Sequence, residues 1–232
     1  MKSLSILMGV AVCVLAQTPP ATAPAPQGSP QAAAPQLENG LYAVFHTEKG
    51  DITAKLFETE APLTVQNFVG LAKGTKAWKD PKAGMVRRPL YNNITFHRVM
   101  MDGMIQSGSA VPNGDHDCGV HVPDEIRPTL KFDQPGRLAM ANLGSHNSAG
   151  CQFFITDTKV PSYDGDYTIF GQVVEGQNVV HEISRTPVID RKDFLAKTPV
   201  KLISVTIKRV GPEPARAPVV KKGPVPGAAP KK

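Results

Sequence analysis

Three segments of the sequence place polar side chains among aromatic residues and methionines, in stretches whose other residues are typical of a buried core. They are residues 96–106, which contain Arg98 and Gln106, residues 138–142 and residues 150–155. An arginine fixed in such surroundings can donate charge-assisted hydrogen bonds to a reacting atom without forming a covalent bond to it. The three segments therefore predict a site that stabilises a lone pair or a partial negative charge.

These segments resemble the three signature motifs of the cyclophilin family. The first reads Phe-His-Arg-Val and continues to Met-Ile-Gln, and the second reads Met-Ala-Asn. The third reads Gly-Cys-Gln-Phe-Phe-Ile, where the family has Gly-Ser-Gln-Phe-Phe-Ile. The resemblance covers residues 40–210 and includes an insertion before Phe96 that is similar to bacterial members. It implies a peptidyl-prolyl cis-trans isomerase that uses neither a cofactor nor a metal.

The chemistry of an X-Pro bond agrees with this resemblance. Rotation about the bond is slow because amide resonance must be broken, at a barrier of about 18–20 kcal/mol. At the twisted geometry the prolyl nitrogen regains its lone pair, so a fixed guanidinium binds it better than it binds the planar amide. We therefore expect Arg98 to be the main catalytic residue, and the resemblance implies that Gln106 orders it. A surface arginine on an edge strand is the alternative.

The resemblance further implies a set of substrate-binding residues with different tasks. They are His97, Met104, Ala141, Asn142, Gln152, Phe154, Tyr163 and Tyr167. Met104, Phe154 and Tyr163 are expected to line the pocket for the proline ring, and Tyr167 lies beside that pocket. Residues 141 and 142 are expected to pair with an extended peptide. The expected partners are therefore unfolded or extended polypeptides that contain proline.

Several of these assignments have alternatives. Met104 and Phe154 also fit a core role, and His97 follows the motif but fits a structural role better. Gly103 stands where the family usually has Phe, which removes one aromatic wall of the proline pocket. Met101 is flexible enough to fold into that space. The alternative function is therefore a module or chaperone that holds proline-containing peptides with weakened catalysis.

Eight segments are predicted to be β-strands, and apolar and polar residues alternate in the first, second and last of them. These segments are residues 41–47, 52–58, 94–100, 104–106, 138–142, 152–156, 168–173 and 200–210. Helical spacing of apolar residues predicts two short helices, one between Pro62 and Gly74 and one over residues 177–184. Residues 74–92 are predicted to form a long surface loop. The expected fold is mainly β, a closed antiparallel eight-stranded barrel capped by two short helices.

The amino-terminal residues have the composition of a targeting segment. Residues 1–16 combine Lys2, an apolar run and a small-residue site, which is typical of a secretory signal peptide. We therefore expect export to the periplasm or cell envelope of a bacterium, with no stable membrane insertion after cleavage. One alternative is an uncleaved anchor, although about 12 apolar residues fall short of the roughly 20 that cross a bilayer. A lipid on Cys13 is the other.

Two further regions differ in composition from the domain between them. Residues 17–36 are rich in Pro, Ala and Gln and predict a linker, whereas residues 211–232 predict a disordered basic tail rich in Pro and Lys. The isomerase domain is expected at residues 37–210. The formal net charge is +6, but most of the basic excess lies in the tail. The domain is nearly neutral, so we do not expect it to bind nucleic acid. We also expect a monomer.

Two cysteines, Cys118 and Cys151, remain after removal of the predicted signal peptide. The resemblance places both segments beside the side pocket that contacts residues before the proline. An even count in an exported protein is consistent with a disulfide, and two free thiols are the alternative. Residues 115–118 and His121 could also supply metal ligands, but their spacing matches no standard zinc pattern, which favours a polar loop.

Overall fold

A computed structural model describes residues 37–190 and 192–213 of the chain. The predicted signal peptide and linker lie outside these residues, as does the predicted tail beyond residue 213. Within the described residues, no helix is both long enough and apolar enough to cross a membrane.

The described residues form short strands, two helices and one single-turn 3-10 helix. The strands are β1 (Gly40–Thr47), β2 (Gly50–Leu56), β3 (Trp78–Asp80), β4 (Gly84–Val86), β5 (Ile94–Thr95), β6 (Arg98–Met100), β7 (Met104–Ser107), β8 (Arg137–Met140), β9 (Phe153–Thr156), β10 (Ile169–Glu175) and β11 (Lys201–Val210). The helices are α1 (Pro62–Lys73) and α2 (Gln177–Ser184), and the 3-10 helix is Pro161–Tyr163.

The main sheet is antiparallel and curls into a half-barrel that stays open. It has nine strands in the order β5-β11-β1-β2-β10-β8-β9-β7-β6. Strands β5 and β6 are the two edges, and in the described part of the chain no ladder joins them. The prediction of a mainly β fold with two short helices is confirmed. The prediction of a closed eight-stranded barrel is wrong in both closure and strand number.

The ninth strand arises because the predicted strand at residues 94–100 splits in two. Between β5 and β6 the backbone leaves the sheet and bonds to the loop before β11. The N–H of Phe96 donates to the carbonyl of Val200 at 2.9 Å, and the N–H of Ala196 donates to the carbonyl of His97 at 2.9 Å. The sequence of residues 94–100 does not reveal such a break, because the pairing partners lie far along the chain.

The segment predicted to be a surface loop, residues 74–92, contains a small hairpin of its own. Strands β3 and β4 pair antiparallel within it, and Trp78 is buried with its indole N–H donating to the carbonyl of Arg88 at 2.8 Å. The Asp80 carboxylate accepts two backbone N–H groups of the turn at 2.8 and 2.9 Å. These hydrogen bonds lower the pKa of Asp80. The predicted surface loop therefore contains a short hairpin and one buried aromatic side chain that the prediction did not include.

Helix α1 begins and ends where its sequence predicts. Pro62 occupies its first turn, and Gly74 ends it with a left-handed φ of 72°, a conformation that glycine adopts without steric cost. The N-terminal N–H groups are satisfied by a distant side chain, since the Glu125 carboxylate accepts from Leu63 at 3.1 Å and Thr64 at 2.8 Å. The helix thus holds the loop before β8 in place.

Two buried clusters support the sheet. The larger one packs α1 and α2 against the sheet and contains five aromatic residues in mutual contact: Phe45, Phe68, Tyr91, Phe153 and Phe170. The smaller one contains Met104, Phe132, Ala139, Phe154 and Ile169. Close-packed clusters of this kind give a rigid base, and the smaller one lies directly beneath the candidate site.

Candidate active site

The hairpin of β6 and β7 places the two candidate catalytic side chains opposite each other. Arg98 pairs with Gln106, and Met100 pairs with Met104. Directly opposed residues of an antiparallel pair share one face of the sheet. The alternate residues of both strands are buried in the core. The motif spacing of eight positions therefore brings a cation and an amide onto one surface because the chain turns back on itself.

This surface opens onto a cavity of about 240 Å³, here called the small cavity. The residues that line it are Arg98, Met104, Gln106, Ala141, Asn142, Phe154, Tyr163 and Tyr167. They come from the β6–β7 hairpin, the end of β8, strand β9 and the segment between the 3-10 helix and β10. All the predicted site residues except Gln152 and His97 thus meet in one place.

A chain of hydrogen bonds, whose acceptors are all neutral, orders Arg98. Its Nη1 donates to Oε1 of Gln106 at 3.3 Å, and Nε2 of Gln106 donates to Oε1 of Gln152 at 2.9 Å. Nε2 of Gln152 in turn donates to the carbonyl of Gly114 at 2.7 Å. The described residues offer Arg98 only neutral acceptors and no carboxylate partner. Its positive charge is therefore oriented without being neutralised.

Aromatic rings form the opposite wall of the small cavity. The Phe154 ring meets Tyr163 and Tyr167 edge-on, with centroids 5.8 and 5.2 Å apart. Phe132 stacks on Phe154 from below at 5.8 Å. Burial raises the pKa of Tyr167, so its hydroxyl stays protonated at neutral pH. The wall is thus aromatic and uncharged, and its ring faces suit contact with a small aliphatic ring.

The chain beyond β8 offers an open backbone edge beside this wall. The N–H of Ala141 donates to the carbonyl of Gln152 at 2.9 Å. The side chain of Asn142 donates to the carbonyl of Asp166 at 2.9 Å and accepts from the N–H of Gly144 at 3.1 Å. Among the described residues, the backbone N–H of Asn142 has no acceptor. An extended ligand could therefore pair with this edge.

His97 does not take part in this arrangement. Its side chain is 2% exposed, and it is not among the residues that line the small cavity. A Cβ at Gly114 would lie 2.5 Å from its ring, so the two are closely packed. Burial lowers the pKa of His97 to about 4, which keeps the ring neutral. Its position corresponds to the structural alternative and not to the predicted substrate-binding role.

The space beside Gly103 is filled, but by a different methionine from the one expected. Met101 is 61% exposed and points away from the core. The side chain of Met100 occupies the space instead, since a Cβ at Gly103 would lie 2.8 Å from its sulfur. Met100 also packs against the smaller buried cluster. A flexible thioether side chain therefore takes the space beside Gly103, although Met100 is not among the residues that line the small cavity.

A second, larger cavity of about 450 Å³ adjoins the first. It shares Gln106 with the small cavity, and Gln152 lines it. Its outer wall carries the exposed side chains of Asp115, Asp117 and His121. Gln152, predicted to bind substrate, thus connects the two cavities through its hydrogen bond to Gln106.

A disulfide between Cys118 and Cys151 forms part of the wall of the larger cavity. The Cα atoms are 6.5 Å apart, and both residues are buried. The bond ties the loop that carries Asp115 to the segment just before Gln152. Because its sulfur is bonded to Cys151, Cys118 has no free thiolate to offer a metal. In the described part of the chain, no three His, Cys, Asp or Glu side chains are grouped to hold a metal.

Sequence reasoning missed a segment that lies against Arg98. The carbonyl of Asp193 accepts a hydrogen bond from its Nε at 3.3 Å, and the ring centroid of Phe194 lies 5.8 Å from its Cζ. Leu195 forms an isolated bridge with the Arg98 backbone. The only signal in the sequence is an aromatic residue within a polar stretch. Nothing links that stretch to an arginine 95 positions earlier.

Comparison with known proteins is consistent with this geometry. The chain is 45% identical over 168 residues to peptidyl-prolyl cis-trans isomerase A of Mycobacterium tuberculosis, covering 71% of this chain and 91% of that protein. It is 42% identical over 156 residues to peptidyl-prolyl cis-trans isomerase B of Streptomyces anulatus, covering 66% and 89%. Both relatives are therefore matched over nearly their whole length.

A solved structure shows the same fold. A cyclophilin type isomerase of Cryptosporidium parvum, crystallised in the presence of the dipeptide Ala-Pro, superimposes with a TM-score of 0.62 at 26% identity. The match covers 73% of this chain and 99% of that one. The family model described as cyclophilin type peptidyl-prolyl cis-trans isomerase/CLD matches residues 42–210. The chain therefore belongs to the cyclophilin type peptidyl-prolyl cis-trans isomerase family.

Proposed function

We propose that the protein accelerates rotation about X-Pro bonds and that Arg98 is its catalytic residue. One observation carries the proposal: the guanidinium lies at the rim of the small cavity, ordered by Gln106, with no carboxylate partner among the described residues. Such a group donates most strongly to the lone pair that the prolyl nitrogen regains at the twisted geometry. Arg98 would therefore bind the transition state better than the planar amide.

The shape of the small cavity supports a proline-containing ligand. Its volume of about 240 Å³ and its aromatic wall suit a proline ring, and Met104 and Phe154 are buried to 2% and 3% exposure beneath it. The backbone edge at Asn142 would pair with the extended chain on either side of that ring. The presence of Ala-Pro in the crystals of the Cryptosporidium parvum relative agrees with this assignment.

The alternative, a peptide-binding module with weakened catalysis, rests on Gly103. The packing of Met100 into the space beside Gly103 argues against a large defect in the proline pocket. The arginine, its glutamine partner and the cavity are all in place. We therefore favour the enzyme over the binding module.

A protease-coupled isomerisation assay on a short Ala-Pro peptide tests the proposal. Arg98→Ala removes one charge-assisted hydrogen bond in the transition state, so kcat/KM should fall about 100-fold. Peptide binding, measured by NMR titration, should change much less. Arg87→Ala, at an exposed arginine of the β4 region, is the matched control and should keep full activity. Equal, slow rates for wild type and Arg98→Ala would favour the binding module.

We further propose that the enzyme assists the folding of exported proteins in the periplasm or cell envelope. The signal-like composition of residues 1–16 supports this. The disulfide between Cys118 and Cys151 adds independent support, because such bonds persist in oxidising compartments. Cell fractionation of the full chain, with thiol alkylation before lysis, should find the mature protein outside the cytoplasm with both cysteines protected. Reduced protein in the cytoplasmic fraction would contradict the proposal.

A further inference from the structure

The guanidinium of Arg98 is held from the loop before β11 as well as from β7. The ring centroid of Phe194 lies 5.8 Å from its Cζ, within the range at which an aromatic face attracts a cation. The carbonyl of Asp193 accepts from its Nε at 3.3 Å. A ring and a carbonyl from one loop therefore add to the hydrogen bond from the β6–β7 hairpin, and they restrict the orientation of the same side chain.

The backbone at Phe194 is in a conformation that disfavours its side chain. Its φ is 56°, in the left-handed region where the Cβ of an ordinary residue is crowded. Two interactions hold it there. The N–H of Val99 donates to the Phe194 carbonyl at 2.9 Å, and Leu195 bridges to Arg98. Glycine would adopt this backbone freely, so the ring at this position must come with a steric cost.

The choice of partner has a chemical consequence for Arg98. A carboxylate would orient the guanidinium but would also compete for its charge and its donors. An aromatic face attracts the cation through its quadrupole and leaves the N–H edge free. Residues kept in unfavourable backbone conformations cluster at functional sites, where the surrounding structure holds them in place. The ring of Phe194 combines both features, because it lies against the Arg98 guanidinium and its backbone is held in an unfavourable conformation.

We propose that Phe194 is a positioning residue for Arg98. The ring restricts the guanidinium to the orientation in which Nη1 reaches Gln106 and the remaining donors face the small cavity. Its effect on the reaction passes through Arg98 and not through contact with the prolyl nitrogen. This inference rests on the proposed function of Arg98, and its test therefore includes the Arg98 variant.

A glycine at position 194 removes the ring and also relieves the unfavourable backbone conformation, so the two effects can be measured separately. Phe194→Gly suits a φ of 56°, so the melting temperature should hold or rise, whereas kcat/KM for the Ala-Pro peptide should fall about fivefold. Phe194→Tyr keeps an aromatic face and should restore kcat/KM to within about twofold. Ile189→Gly, at a residue that is 67% exposed in the same loop, is the matched control and should leave kcat/KM unchanged.

A double-mutant cycle decides whether Phe194 acts through Arg98. In the Arg98→Ala background, Phe194→Gly should cause no further loss. The Nε–Hε NMR signal of Arg98 should shift in Phe194→Gly and return in Phe194→Tyr, because the ring current is lost and restored. Additive losses, or full activity with an unchanged Arg98 signal in Phe194→Gly, would overturn the inference. Full activity of Arg98→Ala alone would instead overturn the proposed function.

Discussion

The two cavities on either side of Gln106 differ in size, wall and charge. The small cavity, of about 240 Å³, is bounded by Arg98 and by tyrosine and phenylalanine rings. The larger one, of about 450 Å³, is bounded by Asp115, Asp117 and a disulfide. The small cavity rests on a buried aromatic cluster, whereas the larger one rests on a loop that is tied down by one covalent bond.

This difference indicates a division of tasks under the proposed function. A small cavity with an aromatic wall and one fixed cation suits a ligand of constant shape, such as a proline ring. A roomier cavity with exposed carboxylates suits side chains that vary from one substrate to the next, such as the residue before the proline. Changes in the small cavity should therefore affect all peptides alike, and changes in the larger one should alter the preference among peptides.

Removal of the aromatic wall should have the largest effect. Phe154→Ala deletes a buried ring of the small cavity, and such changes cost about 3–5 kcal/mol of unfolding free energy. Under the proposed function the proline ring loses its main contact. The value of kcat/KM should therefore fall strongly, and by the same factor for every X-Pro peptide. Urea unfolding and the isomerisation assay on a peptide series would measure both quantities.

The matched control for this change is Phe132→Leu. Phe132 stacks on Phe154 in the buried cluster but does not line the small cavity. The Phe132→Leu substitution should lower the free energy of unfolding. At a temperature where the variant is folded, its kcat/KM should stay near that of wild type. A loss in Phe154→Ala that depended on the residue before the proline would contradict the division of tasks.

Removal of the disulfide should have an intermediate effect, mainly on stability. The double variant Cys118→Ser with Cys151→Ser frees a loop closed across 33 positions. Loss of such a crosslink costs roughly 2–4 kcal/mol of unfolding free energy. The preference among residues before the proline should also broaden, because the loop that carries Asp115 is no longer tied down. Wild type treated with a reductant should behave in the same way, and an unchanged melting temperature would contradict the prediction.

Neutralising the carboxylates of the larger cavity should have the smallest effect. Asp115→Asn with Asp117→Asn should lower kcat/KM about two- to threefold for peptides with Lys or Arg before the proline, since exposed charges interact weakly. Peptides with Ala at that position should be unaffected. The difference should vanish in about 1 M salt, where the Debye length is about 3 Å. An equal loss for both peptides would show that the carboxylates do not select substrates.

Much of the site could be predicted from the sequence because its parts lie within short motifs. The pairing of Arg98 with Gln106 follows from a hairpin whose two strands are separated by a three-residue turn. Phe154 and the peptide edge were expected from the second and third motifs, whereas Tyr163 and Tyr167 lie outside the motifs and were expected from the family resemblance alone. His97 belongs to the same motif as Arg98, yet it lies in the break between β5 and β6, where its side chain is buried in the core.

The fold was predicted less completely, because strand pairing depends on residues that lie far apart in the chain. Residues 94–100 were predicted to form one strand, but hydrogen bonds to the loop before β11 divide it into β5 and β6, which are the two edges of the open sheet. The β3–β4 hairpin was missed because its strands have three residues each and sit among Lys, Gly and Pro. Such short strands carry too few residues for a periodic pattern.

The sequence by itself indicated the family and the candidate cation at position 98 through short motifs, and the family resemblance indicated the residues that line the small cavity. Only the tertiary structure decided what surrounds them. It packs Met100 beside Gly103, joins Cys118 to Cys151 and brings Phe194 against the guanidinium. Contacts between residues far apart in the chain depend on how loops cross the finished sheet, and local sequence patterns do not record that.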